Sequence, residues 1–433
     1  MYPHMFLSRV SRRGLELLLI TLILATSYLP GIGAVEFHGD ESMTIFSSES
    51  YEPFIHGDIH SHVWEEHFWT LTQPPLSRYV IGVGRTLGGY DATELNTAWN
   101  FFRDEARNIR EGNMPSPGLL WWSRLPMAVL AIVSGIAVFY LVSAVVGPLG
   151  GWVAVLLFAV SPYLHTTLRQ ALTESPLLAC TLLALLSTLA AVPRWSVWVA
   201  ERRGTWPWGI AWLGLAGALA GLAAAAKLNG LALIGAMMIL VAVAVVTEPG
   251  TVAYTRRWAG AALGAGVLGA AGIGAFVGLN PFLYVDTLGR VQRMFDHRLT
   301  QMADQFESTQ YRIPDMTARL NILPGRIFDK NGSLSFYGSG WVSGALTVVG
   351  VIVLVTLAWR WLCGRRAPVA AASLLALGGA MALPALSTIL DWDRYYLFPV
   401  VFSLVCIGIA VGSTARWVAG RRLPLERAEI GKA

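Results

Sequence analysis

The sequence predicts an all-α, polytopic membrane protein, and three observations carry that reading. Only 14% of the 433 residues are charged while 55% are hydrophobic, against about a quarter charged in soluble domains. Mean hydropathy is +0.53, so too little polar surface exists to cover one soluble core. Apolar stretches of membrane length, roughly 20 residues each, recur along the chain. The basic residues between them are sorted by side.

Taken in order, ten spans are expected at 15–34, 120–146, 152–168, 174–193, 208–226, 229–247, 259–279, 341–359, 368–388 and 397–414. An even number puts both termini on one side. The segments that would then be cytoplasmic carry Arg9, Arg12 and Arg13; Arg194, Arg202 and Arg203; Arg256 and Arg257; and Arg360, Arg365 and Arg366. The tail adds Arg416, Arg421, Arg422, Arg427 and Lys432, against the four acids Glu201, Glu248, Glu426 and Glu429. Basic loops stay inside, so the expectation is a multi-pass protein of the plasma membrane with both termini cytoplasmic. The first apolar stretch also has the form of a signal peptide, with a basic start and "GIGA" at its end; the reading adopted is an uncleaved anchor. The net charge of +5 belongs to this sorting and does not point to nucleic acid. Cys180, Cys363 and Cys406 lie in or beside apolar segments, which excludes a disulfide framework.

Two long loops remain outside, 35–119 and 280–340, as extensions of a single membrane-embedded domain covering 1–433. The first holds thirteen of the 27 acids and five of the eight histidines. Within it, 91–112 opens like a capping box at Asp91 and Glu94, and Leu95, Ala98, Trp99, Phe102, Ala106 and Ile109 follow helical spacing. In the second loop Leu288, Val291, Phe295, Leu299, Met302 and Phe306 form another helical stripe. Both are expected to be interfacial helices.

Candidate chemistry gathers at the outer ends of the spans. Asp40 and Glu41 follow span one in "HGDES". "TQPPLSRY" (72–79) places Gln73 before a rigid Pro-Pro turn. Arg124 starts span two, Glu174 starts span four, and Lys227 stands between spans five and six in "AAAAKLNGLAL". "DWDRYYLFPV" (391–400) opens span ten with Arg394 and Tyr395. Ionisable groups near hydrocarbon are costly, and are usually paired or functional. Their bland alternatives are snorkelling for Lys227, Arg124 and Arg394, and capping or pairing with Arg169 for Glu174. The cytoplasmic arginines place all of these groups on one outer face without having been chosen to do so.

In this order the motifs resemble the GT-C fold glycosyltransferases that use polyprenyl-phosphate sugars, the protein O-mannosyltransferase and aminoarabinose transferase superfamily. The resemblance covers most of the chain: "DE" after the first span, "PPL" in the first loop, "RLP" at span two, "R…ALT-acid" before span four, a lysine after an Ala/Gly-rich span, and "RYYLFP" at the last. It implies a GT-C membrane enzyme, an inverting transferase working on the extracytoplasmic face. Asp40 would take the proton of an acceptor hydroxyl, with Glu41 its neighbour or alternative. Lys227 would stabilise the leaving phosphate, with Arg394 and Tyr395 adding donors. The implied partners are a polyprenyl-phosphate-linked sugar, a protein, lipid or glycan acceptor, and membrane lipids. The sequence departs from the pattern at Gln73, where a lysine or histidine is usual, and at Glu174, where aspartate is usual.

Competing signals are weaker. "HGDIHSH" (56–62) with His67 has metal-ligand residue types, but irregular spacing in an acidic loop. "DWD" (391–393) has the form of a metal-holding acid pair, discounted because it faces away from the cytoplasm, where nucleotide sugars are made; Asp393 is expected to orient Arg394 instead. No cofactor is implied, and a divalent metal is compatible but not indicated. "NGS" (331–333) has the pattern of a glycosylation sequon. The alternative function is a multi-span transporter of a small or lipid-linked solute, which would place its ionisable groups near the midplane and show repeat symmetry.

Overall fold

The structure, a computed structural model, describes residues 3–201, 206–248, 253–332, 340–363 and 369–420. Arg202, Arg203, Arg365, Arg366, Arg421, Arg422, Arg427 and Lys432, with Ser333 of the sequon, lie outside the described residues. The amino-terminal part comprises α1 (Pro3–Tyr28), α2 (Gly39–Phe46), α3 (Tyr51–Ile55), α4 (Phe68–Thr72), α5 (Leu76–Leu87) and α6 (Glu105–Arg110). The central spans are α7 (Pro117–Val146), α8 (Pro148–Val160), α9 (Pro162–Arg169), α10 (Glu174–Glu201), α11 (Trp206–Ala226), α12 (Gly230–Thr247) and α13 (Tyr254–Gly278). There follow α14 (Thr287–Ser308), α15 (Met316–Pro324), α16 (Gly340–Leu362), α17 (Val369–Leu377) and α18 (Leu397–Val418). Among the described residues no strand forms beyond an isolated bridge between Arg312 and Leu390.

Eight of the described helices are long and apolar enough to cross a membrane. The expected third span is instead a bent pair, α8 and α9, meeting at 68°. The break follows from Ser161-Pro162: the residue before a proline is driven out of the helical region, and Ser161 is extended at φ −70°, ψ 113°. Its hydroxyl then caps α9 by accepting from Leu164 N at 3.4 Å. The expected ninth span is also irregular. After α17 the backbone widens into a π turn over Gly378–Ala382 and tightens to a 3-10 turn over Leu383–Ser387. Counting the bent pair and this shorter apolar element gives about ten membrane helices among the described residues.

The helices around α10 and α18 form the interior: both spans are 78% buried, against 22% for the first. α10 packs on α7 and α11, and α18 packs on α8 and α16. Contact between α11 and α13 depends on small residues, because a Cβ on Gly217 or Gly221 would meet the backbone of Leu268 or Gly272. Such close approach drives helix association where lipid removes the hydrophobic contrast. Ile239, Trp208 and Ile352 point outward, as a lipid-facing surface requires.

The long helix expected over 91–112 does not form. Asp91 does cap a single 3-10 turn, Ala92–Glu94, but the only α-helix there is the short α6. Asparagines compete for the backbone. The Asn108 amide donates to the carbonyls of Asn100, Arg103 and Asp104, and its oxygen accepts from Asn100 N. Asn96 similarly donates to Ser42 O and Thr97 O. The second expected helix forms as α14, started by Asp286, whose carboxylate accepts from Gly289 N at 3.0 Å. Its stripe splits: Met302 lines a cavity, whereas Leu288, Phe295 and Leu299 face outward and Met294 is the buried residue.

Candidate active site

α2 begins one residue before the adjacent acids. His38 accepts from Asp40 N at 3.1 Å through Nδ1, and Glu41 accepts from His38 N at 3.1 Å, a reciprocal cap. This cap sends the two carboxylates in different directions. Glu41 turns inward and is fully buried against Arg124, which donates from Nε at 2.7 Å and from Nη2 at 2.6 Å. Ala171 N adds a bond at 2.8 Å. Arg124 also donates to Ile32 O, Val35 O and Glu36 O. The pair therefore joins α2, the end of the first span, α7 and the segment before α10, with every charge compensated.

Asp40 turns the other way, onto a cavity, and pairs there with Arg394 Nη1. Burial by itself would raise the Asp40 carboxyl; Arg394, helped by His38 and Lys227, outweighs it and holds the group below the usual carboxylate range. Arg394 comes from the short turn Asp393–Tyr396 that precedes α18, 354 residues away in sequence. Its guanidinium carbon lies 4.9 Å from the Trp392 ring centroid and 5.9 Å from that of Tyr395.

Lys227 closes the turn between α11 and α12. That turn is tight because a Cβ on Gly230 would meet the backbone of Ala223 and Ala224. Lys227 Nζ lies 3.1 Å from Glu174 Oε1 at the start of α10 and 5.7 Å from the Tyr395 ring. Glu174 is buried and also accepts from Thr173 Oγ1 at 3.2 Å. Arg169 instead donates to Pro30 O and His165 O. A paired lysine beside an aromatic ring is not a snorkelling one.

The cavity, about 410 Å³, is lined by Asp40, Gln73, Glu174, Lys227, Arg394 and Tyr395. Six of the eight residues singled out in the sequence therefore meet there, from five separate segments; Glu41 and Arg124 stand behind the wall. Leu228, Met381, Pro384, Leu397 and Phe398 give the same cavity an apolar surface. Sequence reasoning missed Arg298, which α14 brings into the lining together with Gln301, Met302 and Gln305. Arg298 donates to Tyr395 Oη at 3.0 Å and to Gln301 Oε1 at 2.5 Å, with no carboxylate partner among the described residues. The i, i+3, i+4, i+7 spacing of these four residues was the available signal. Three cations, Lys227, Arg298 and Arg394, against two carboxylates, Asp40 and Glu174, leave the lining one positive charge in excess. That balance suits an anionic ligand with an apolar part.

Asp393 does not orient Arg394, contrary to the expectation from "DWD". Arg326 binds both acids of that motif, reaching Asp391 through Nε at 2.9 Å and Asp393 through Nη1 at 3.0 Å. Lys330 Nζ joins Asp393 at 2.9 Å, and Tyr396 Oη donates to Asp391 at 2.8 Å. These acids anchor the turn that presents Arg394. In "HGDIHSH", Asp58 accepts from His60 N at 3.2 Å, and no group of three potential ligands close enough to hold a metal occurs among the described residues.

Residues 55–284, just over half of the chain, match the family described as dolichyl-phosphate-mannose-protein mannosyltransferase. No curated protein sequence matches the chain. Among solved structures, the Archaeoglobus fulgidus oligosaccharyltransferase tethered to an acceptor peptide aligns at TM-score 0.52 and 14% identity, covering 93% of this chain and 49% of that one. At that identity the likeness speaks to the fold alone. ArnT from Cupriavidus metallidurans bound to undecaprenyl phosphate aligns at TM-score 0.49 and 16% identity, covering 91% of this chain and 59% of that one. The chain thus spans about half the length of the archaeal enzymes it matches.

Proposed function

This chain belongs to the dolichyl-phosphate-mannose-protein mannosyltransferase family, and from that premise we propose that it transfers a sugar, with inversion, from a polyprenyl-phosphate carrier to an acceptor hydroxyl on the extracytoplasmic face of the plasma membrane. One observation carries the reading. Two carboxylates and three cations from distant segments meet in a single cavity that also has apolar walls, as a lipid phosphate and a nucleophile require together.

Asp40 and Arg394 neutralise each other. A donor phosphate entering the cavity competes for Arg394, Lys227 and Arg298, and in taking Arg394 it frees the Asp40 carboxylate. Asp40 then accepts the acceptor's hydroxyl proton as that oxygen attacks the anomeric carbon. The bond from that carbon to the phosphate oxygen breaks, and the polyprenyl phosphate leaves with its charge held by Lys227 and Arg394. Tyr395 donates nearby. Glu174 keeps Lys227 in place, and Gln73 supplies a neutral hydrogen-bonding group to donor or acceptor. Glu41 and Arg124 hold α2 in position. The reaction so written needs no cofactor.

The test is purified protein given a panel of polyprenyl-phosphate sugars, wild type beside Asp40→Asn. Transfer by the wild type and its loss in the folded variant support the proposal. Consumption of no such donor, with solute flux into vesicles, would replace it with the transporter reading.

A further inference from the structure

At the end of the bundle opposite the cavity, the last turns of α10 lie against the start of α13. Trp195 Nε1 donates to Gly260 O at 3.0 Å, and a Cβ on Gly260 would collide with the Val199 side chain. Beside this contact runs a second cavity, of about 190 Å³, walled by Trp198, Val199, Ala259, Gly260 and Leu263, with Arg256 as its one charged residue. Arg256 belongs to the first turn of α13, and Leu263 lies seven residues further on, about 10 Å deeper along the helix. The groove is therefore cationic at the membrane edge and apolar toward the interior.

Two observations set Arg256 apart from any acid among the described residues. Its Nη2 is shielded from solvent and has no hydrogen-bond partner among the described residues, a costly state for a charged donor. The first turn of α13 contains no acid and has no side-chain cap, yet it carries Arg256 and Arg257 at the positive end of the helix dipole. Tyr254 and Trp258 are exposed on the same turn, at the level where aromatic residues meet lipid headgroups.

We infer that this groove binds an anionic phospholipid, its headgroup phosphate on Arg256 and an acyl chain along Trp198, Ala259 and Leu263. A free phosphate would use only Arg256 and leave the apolar walls uncovered; a neutral phospholipid offers no net charge to balance Arg256. The site is separate from the reaction proposed above and does not depend on it.

The experiment uses full-length protein in phosphatidylcholine nanodiscs with and without phosphatidylglycerol, reading retained lipid by native mass spectrometry and the melting temperature. The wild type should retain phosphatidylglycerol over phosphatidylcholine by about tenfold, the scale of one charge-assisted hydrogen bond, and melt higher in its presence. Arg256→Gln should lose both effects. Ala259→Trp, which keeps the charge and fills the groove, should lose them as well, and either variant decides the matter if the other fails to fold. Retention of the preference in Arg256→Gln overturns the inference. Its retention in folded Ala259→Trp reduces the effect to general attraction by a basic surface, and a melting shift from inorganic phosphate alone assigns the site to a free anion; both outcomes also refute it.

Discussion

Replacing Asp40 by Asn and Glu41 by Gln, one at a time, should separate two adjacent carboxylates into different phenotypes. Glu41 is fully enclosed and accepts bonds from Arg124 Nε and Nη2, Ala171 N and His38 N. Removing one partner of such a pair strands the other charge and costs about 3–5 kcal/mol. Glutamine keeps one accepting oxygen, so about 3 kcal/mol is expected, a fall of roughly 6 °C at about 2 °C per kcal/mol. Asp40 is about one-fifth exposed and its partner Arg394 about one-quarter, so solvent screens their pairing and asparagine should cost about 1 kcal/mol or less. If Asp40 is the base, however, its loss should slow single-turnover transfer by about 10²–10⁴. The assay is a melting curve of each purified variant beside its rate of transfer from a lipid-phosphate sugar. The reasoning fails if Asp40→Asn keeps a rate within a factor of about three. It fails equally if Glu41→Gln melts like the wild type yet has lost activity, since Glu41 would then act on substrate.

Three further outcomes are expected. The Asp40 carboxyl is held below its ordinary value, so it stays ionised at neutral pH, and its contribution should vanish only as pH falls through that lowered value. The acid limb of kcat/KM, which reports the free enzyme, should therefore lie below the ordinary Asp value of about 3.9, while that of kcat should lie higher once donor has drawn Arg394 away; coincident limbs would contradict the exchange. Lys227→Met should lower the transfer rate by about 10²–10³, Arg394→Lys should fall less than Arg394→Met, and chelation by EDTA should leave the rate intact; loss restored by a divalent cation would put a metal in the site. Cys363 is exposed, unlike Cys180 and Cys406, so a membrane-impermeant maleimide should label it in inverted vesicles and not in intact cells. Labelling from outside would reverse the orientation and remove the active site from the extracytoplasmic face.

Much of the site was legible because its residues break local rules. Lys227 interrupts a run of alanines, and Asp40 and Glu41 follow directly on a span; a charge in such a place is informative on its own. Arg298 broke no rule. It sits on an amphipathic helix with polar neighbours, where an arginine is ordinary, and only the docking of α14 over the cavity distinguishes it. Asp393 was assigned to its sequence neighbour Arg394, but a residue one place away rarely faces the same way, and Arg326 and Lys330 reach it from another segment. The helix expected over 91–112 had the right apolar spacing and the right cap. Its asparagines, which that reading did not weigh, bound the backbone instead.

The sequence alone determined the solvent, because composition and span length answer to bilayer thickness, and it determined the order of the membrane helices and picked out six residues that line the cavity. The span expected over 152–168 was read as continuous, and only the fold showed that it breaks at Ser161-Pro162 and bends by 68°. What the tertiary structure decided was the pairing of charges. Asp40 and Glu41 are adjacent in the chain and alike in chemistry; a reciprocal cap at the start of α2 turns one into the protein against Arg124 and the other onto the cavity against Arg394. Rotation about a helix axis separates consecutive side chains by about 100°. Which of them meets a core and which meets a cavity depends on the elements packed around that helix, and those come from distant parts of the chain.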